Sequence, residues 1–134
     1  MKLEDKVVVV TGGSTGIGFA TASAFKDEGC KVAICSRNEK DLQKAKSALN
    51  CFAMKCDVSN KKDVEKFFAA IKKAFGLIDI LVNNAGILSH KPFMETPDDE
   101  WNSVIDVNLK GVMMCTKYTI PLMNKGIIIN ISSG

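Results

Sequence analysis

Near the N-terminus, Val7-Val8-Val9-Val10-Thr11 runs directly into Gly12-Gly13-Ser14-Thr15-Gly16-Ile17-Gly18. A run of valines this short cannot make a helix, and its β-branched side chains suit a strand buried on both faces. Each of the glycines at 12, 16 and 18 has a physical task. Gly12 lets the chain turn sharply off the strand. Gly16 lets the backbone approach a phosphate with no Cβ in the way. Gly18 lets the following helix pack close to the sheet. A helix from Ile17 aims its free N–H groups at the turn and makes an anion site there. That is the chemistry of a dinucleotide pyrophosphate site. An ordinary glycine-rich connection has the same composition. The strand before it and the amphipathic helix after it favour the nucleotide reading.

Four other stretches carry polar groups directly after an apolar run: Ser36-Arg37, Asp57-Val58, Asn83-Asn84-Ala85-Gly86 and Ser132-Ser133. The elements that position them alternate between strand and helix. A helix is predicted over 17–28 with Gly29 as its cap, a strand over 31–35, and a helix over 39–49 capped by Asn38. A strand over 51–55 follows, then a helix over 61–75 capped by Ser59 or Asn60 and ended by Gly76. Ile78 to Val82 reads as the fourth strand. Thr96-Pro97-Asp98-Asp99 reads as a helix start, with a cap, a proline at the first position and acid in the first turn. A long helix then runs to about Asn124, with a break near Asp106 and strain at Pro121. Gly126 to Ile131 closes the series as a fifth strand. Strands separated by helices of this length pair in parallel through right-handed crossovers. The expected fold is α/β, a Rossmann-type doubly wound parallel sheet with strand order 3-2-1-4-5 and helices on both faces. All five polar stretches then lie beyond the carboxyl ends of the strands, where such sheets bind ligands.

The 134 residues are predicted to form one domain, 1–134, and 46% hydrophobic and 25% charged residues are ordinary for a globular chain. The net charge of +3 is spread along the sequence. Lys61-Lys62 and Lys72-Lys73 sit among acids on predicted helices, so they read as solvated faces and not as a nucleic-acid site. No apolar run is long enough to span a membrane. The charged start, Met1 to Lys6, lacks the apolar core of a signal peptide. The five cysteines are odd in number with no C-x-x-C pair, which suggests reduced structural thiols and a cytoplasmic protein. No metal site is expected, because His90 is the only histidine.

Thr11-Gly12-x-x-x-Gly16-x-Gly18, Asp57-Val58, Asn83-Asn84-Ala85-Gly86, Asn108-Leu109-x-Gly111 and Asn130-Ile131-Ser132-Ser133 follow one another in an order that closely resembles the short-chain dehydrogenase/reductase family. The resemblance spans nearly the whole chain. It implies that Gly12, Ser14, Thr15, Gly16, Ile17 and Gly18 hold the cofactor at its pyrophosphate and nicotinamide side. It implies that Asp57 bonds near the adenine, that Val58 packs beside the ring, and that Asn83, Ala85 and Gly86 line the cofactor and steady the sheet. It also implies that Asn108 helps to hold a water in a proton relay, and that Ser133 donates a hydrogen bond to a substrate oxygen. The activity so implied is hydride transfer between a nicotinamide and a small-molecule carbonyl or alcohol, such as a 3-oxoacyl compound.

The end of the second strand bears on the choice of nucleotide. An acid there binds a ribose 2′-hydroxyl and repels a 2′-phosphate. This chain has Ser36 followed by Arg37. A hydroxyl beside a guanidinium suits a phosphate, so NADP(H) is expected ahead of NAD(H). The chain departs from the family pattern after Ser133, because the sequence ends at Gly134 without the downstream tyrosine and lysine of the family's relay. The only tyrosine, Tyr118, has Leu122 and not lysine four residues on. The expectation is therefore a truncated, poorly catalytic unit. Its fifth strand and long helix would be left exposed and prone to self-association as a homo-oligomer. A nucleotide-binding module without catalysis is the alternative.

Overall fold

A computed structural model describes residues 2–133. Five parallel strands form a single sheet in the order β3-β2-β1-β4-β5. They are β1 (Val7–Thr11), β2 (Lys31–Ser36), β3 (Phe52–Lys55), β4 (Ile80–Asn83) and β5 (Ile127–Asn130). Helices α1 (Gly16–Asp27), α2 (Glu39–Leu49) and α3 (Lys61–Phe75) make the crossovers between them. α4 (Asp98–Ile105) and α5 (Gly111–Thr119) lie between β4 and β5. The order is the one predicted, with β1 at the centre.

Side-chain alternation in the strands sorts the core into two layers. Val8, Val10, Ile34, Ile80 and Val82 point to one face and pack with Ala22 of α1 and Leu42, Ala45 and Leu49 of α2. Val9, Ala33, Cys35 and Leu81 point to the other and pack with Val64, Phe67, Phe68 and Ile71 of α3 and Cys115 of α5. Burying each large aliphatic side chain contributes about 1.5–3 kcal/mol, and all five residues of β1 are buried. The central strand is thereby a rigid base for the glycine turn at its end.

Local chemistry sets the helix ends. Asn38 Oδ1 accepts from the Asp41 N–H at 3.0 Å, and Asn60 Oδ1 accepts from the Asp63 N–H at 3.1 Å. Asn60, and not Ser59, is therefore the cap of α3. At the end of α1, the Gly29 N–H donates to Lys26 O and the Cys30 N–H to Phe25 O, with Gly29 at φ +82°. This paired closure requires a left-handed residue, which favours glycine.

One expectation needs correction. α4 begins at Asp98 with Pro97 in the cap position, and no side chain caps it. Thr96 instead donates its hydroxyl to Pro92 O at 3.0 Å and closes the preceding 3-10 turn, Phe93–Glu95. The long helix is interrupted, as expected. A π turn, Asp106–Lys110, separates α4 from α5, and a 3-10 turn, Ile120–Leu122, accommodates Pro121. The break falls where it was expected.

On β5, Ile127 and Ile129 lie beside Ile80 and Val82 of β4, yet are 45% and 38% exposed. Neither isoleucine joins the core layer that packs against α1 and α2.

Candidate functional site

A cleft of about 420 Å³ opens at the carboxyl ends of the strands. Its walls come from the turn after β1, the turn after β2, Cys56 and Val58 after β3, the turn after β4, and Val107 of the π turn. Because the five strands run parallel, the loops at their carboxyl ends lie on one edge of the sheet.

The glycine turn is built as its residue types require. Gly12 (φ +62°) and Gly16 (φ +57°) are both left-handed. A Cβ on Gly12 would lie 2.9 Å from Ala85 Cα. A Cβ on Gly16 would meet nothing within 4 Å. Gly16 therefore leaves open space for a ligand's backbone approach, whereas Gly12 leaves space for the neighbouring turn. Gly18 has a different neighbour from the one expected. A Cβ there would run into the Gly12 carbonyl oxygen and Asn84 Nδ2, so Gly18 closes the helix onto the turn and not onto the sheet face. Thr15 occupies the cap position of α1 without a side-chain cap, and the first N–H bonded back to it is that of Phe19. The first-turn amides before Phe19 therefore remain open to an anion.

Thr11 joins this turn to the one after β4. Its buried Oγ1 accepts from the N–H groups of Asn84 and Ala85, each at 3.0 Å. Asn84 Nδ2 in turn donates to Thr11 O and Gly12 O, both at 3.1 Å. The cleft floor is thus one hydrogen-bonded unit built from two loops.

At the far end of the cleft, the Ser14 hydroxyl donates to Ser36 Oγ at 2.8 Å, and the Asn38 N–H donates to the same oxygen at 3.3 Å. Ser36 Oγ accepts twice, which leaves its own O–H free to donate. Arg37 lies beside it on the wall.

Among the remaining residues singled out from the sequence, Ile17 (65% exposed), Val58, Ala85 and Gly86 line the cleft. Asp57 stands behind the wall. Its Oδ1 accepts from the N–H and hydroxyl of Ser59 at 2.9 and 2.7 Å, and its own N–H donates to Asp63 Oδ2 at 3.0 Å. Asn83 is buried within the sheet and not on the cleft wall. Its Nδ2 donates to Asn130 Oδ1 at 2.9 Å and to Thr116 Oγ1 at 3.1 Å, and its Oδ1 has no partner among the described residues. Asn108 sits in the π turn. Its Oδ1 accepts from the Ile87 N–H and its Nδ2 donates to Ile87 O, both at 2.8 Å. Both ends of that amide are committed to the loop after β4. Ser133 is exposed, three residues past β5, and does not line the cleft.

Asn38, Asp41, Cys56, Asn84, Ile87 and Val107 also line the wall, in addition to the residues expected from the sequence. Asn84 was within reach, because it lies in a polar turn at a strand end. Cys56 is buried, and its thiol, followed by burial, holds the neighbouring Cys35 thiol well above its ordinary pKa. Burial pushes the Cys115 thiol up to about 12. Both thiols stay protonated and act as small apolar fillers under the cleft.

The model of the short chain dehydrogenase family matches residues 6–134, and the chain belongs to that family. It is 38% identical to an uncharacterized oxidoreductase of Staphylococcus aureus (strain USA300), covering 98% of this chain and 59% of that protein. It is 41% identical to the uncharacterized oxidoreductase YxbG of Bacillus subtilis, covering 98% of this chain and 51% of that protein. The crystal structure of a short-chain dehydrogenase/reductase, described as a glucose/ribitol dehydrogenase, from Brucella melitensis superposes with a TM-score of 0.92 at 32% identity. That match covers 97% of this chain and 57% of the other. The chain thus spans between half and three-fifths of the length of these relatives. Among the described residues, no helix is long and apolar enough to cross a membrane.

Proposed function

We propose that this chain is the cofactor-binding unit of an NADP(H)-dependent oxidoreductase that acts on a small carbonyl or alcohol substrate, of the 3-oxoacyl, ketone or alcohol type. The observation that carries the nucleotide choice is the Ser14–Ser36 hydroxyl pair beside Arg37, where an NAD(H) site would carry a carboxylate. The free Ser36 O–H and the Arg37 guanidinium are the donors a 2′-phosphate needs. Gly16 and the open amides of α1 would receive the pyrophosphate, and Val58 would pack against the adenine. The bound nicotinamide would supply or accept the hydride. Ile17, Ala85 and Gly86 would hold it in place.

Ser36→Asp tests this directly. The ratio of NADPH to NADH dissociation constants, measured by fluorescence titration, should move toward NADH by about tenfold or more, or about 1.4 kcal/mol. An unchanged ratio removes the NADP(H) reading.

A second reading is nucleotide binding without catalysis. It is favoured by Tyr118, whose hydroxyl donates to Glu65 at 2.7 Å and whose ring stacks on Phe68, away from the cleft. Residues 1–134 therefore offer no tyrosine acid/base at the site. The intact mass of the protein in its source separates the two readings. A mass near 14.5 kDa leaves binding alone, and a much larger one leaves room for the relay.

We further propose that the protein works in the cytoplasm with its five cysteines reduced, and that it pairs with a second copy. Ile105, Leu109 and Met113 recur at helical spacing and are exposed, as are Ile127 and Ile129 of β5. Replacing Ile127 and Ile129 together with Lys should shift the sedimentation profile toward monomer. An unchanged profile would exclude β5 from the contact.

A further inference from the structure

Of the residues that line the cleft, Arg37 is the only cation and Asp41 the only anion. The two are held on the same wall. The Ser36 hydroxyl accepts from the Asn38 N–H at 3.3 Å, and the Asn38 side chain accepts from the Asp41 N–H at 3.0 Å. The segment from Ser36 to Asp41 is thus tied into one turn facing the cleft. Other carboxylates nearby are engaged: Glu39 accepts from Gln43 Nε2 at 2.7 Å, Asp57 holds Ser59, and Asp63 holds the Asp57 N–H. Among the described residues, the Asp41 carboxylate has no hydrogen-bond or ion-pair partner. It is half-buried, so solvent screens it only in part.

We propose that Asp41 is a specificity-determining residue that weakens the hold of this cleft on a nucleotide 2′-phosphate, and so keeps NAD(H) competitive with NADP(H). The proposal rests on the reading of Ser36 and Arg37 as the 2′-phosphate site. Arg37 attracts the phosphate dianion and Asp41 repels it. NAD(H), with a neutral hydroxyl at that position, is indifferent to Asp41. A structural role for Asp41 is also plain, since an acid in the first turn complements the α2 dipole. That role acts on both nucleotides alike, so the ratio of their affinities separates the two effects.

The test is calorimetric titration of NADPH and NADH into the chain and its D41N and R37Q variants, at low and moderate salt. D41N should tighten NADPH by about two- to fivefold, the scale of a partly exposed charge pair, and leave NADH unchanged. The gain should shrink as salt rises. R37Q should weaken NADPH alone. If D41N leaves the NADPH constant unchanged, or moves both nucleotides equally, the assignment of Asp41 is overturned while the R37Q result still supports the phosphate site. If R37Q does not weaken NADPH, or neither nucleotide binds, the reading of the cleft fails and the Asp41 assignment fails with it.

Discussion

Thr11→Val should lower the stability of the fold by about 2–4 kcal/mol and abolish nucleotide binding. Valine matches threonine in shape, so the change is purely one of hydrogen bonding. The Thr11 hydroxyl oxygen accepts from two N–H groups, those of Asn84 and Ala85, inside the cleft floor. A methyl group in its place leaves both donors without a partner, at about 1–3 kcal/mol each. The two loops that form the floor are then joined by side chain only through Asn84 Nδ2, which donates to Thr11 O and Gly12 O. Thr11→Ser keeps the oxygen and should cost only about 1 kcal/mol, for a lost methyl, with binding retained. Urea denaturation and NADPH titration of both variants provide the check. Equal behaviour of Val and Ser would mean that the hydroxyl is not what joins the loops.

The glycine turn yields the second large effect, and it comes as a contrast. Gly18→Ala places a methyl against the Gly12 carbonyl oxygen and Asn84 Nδ2. A backbone oxygen cannot swing aside, so the turn must move, at about 1–3 kcal/mol. Gly16→Ala meets no protein atom within 4 Å. Its cost is conformational, about 1–2 kcal/mol for an L-residue held at positive φ. Both variants should lose NADPH binding by at least about tenfold, or 1.4 kcal/mol, but for different reasons. Gly18→Ala spoils the shape of the site, which should appear as altered amide signals around Asn84 without ligand. Gly16→Ala fills the space a phosphate would take, and those signals should stay in place. Normal affinity in the Gly16 variant would show that no phosphate approaches there.

The sequence revealed most of the frame because local chemistry and global packing agree in it. The valines of β1, the asparagine caps at 38 and 60 and the left-handed glycines at 29 and 76 are each determined by a few neighbouring residues. Sheet order followed from connection length and handedness. What sequence could not reveal depends on contacts between distant segments. Asn83 and Asn84 are identical neighbours in one turn, yet one is buried against Asn130 and the other bonds to the glycine loop. Strand parity decides which faces where, and that parity depends on where β4 ends. The apolar run stops at Val82, whereas β4 continues through Asn83. Asparagine is a poor helix former, so Asn108 gains nothing from its local setting; the reason for it lies in Ile87, 21 residues away. Thr96 had the residue type of a cap, but the 3-10 turn before it claimed its hydroxyl. Asp41 was counted only as part of a helix start, because nothing local marks which side of that helix faces a cleft.

The π turn at Asp106–Lys110 acts as a phase shifter. A turn that carries one residue more than its α-helical counterpart rotates everything after it by about 100° relative to an unbroken helix. Ahead of it, α4 buries none of its residues, whereas after it Gly111, Cys115 and Thr119 are buried one turn apart. Gly111 fits because a Cβ there would press on Val58 Cγ2 at 2.7 Å, and Val58 lines the cleft. The length of this segment is therefore as constrained as its composition. A single-residue deletion between 106 and 110 changes few side chains, yet it would turn a larger residue toward Val58 and swing Asn108 off Ile87. The spacing between α4 and the sheet would tolerate many substitutions and no change of count.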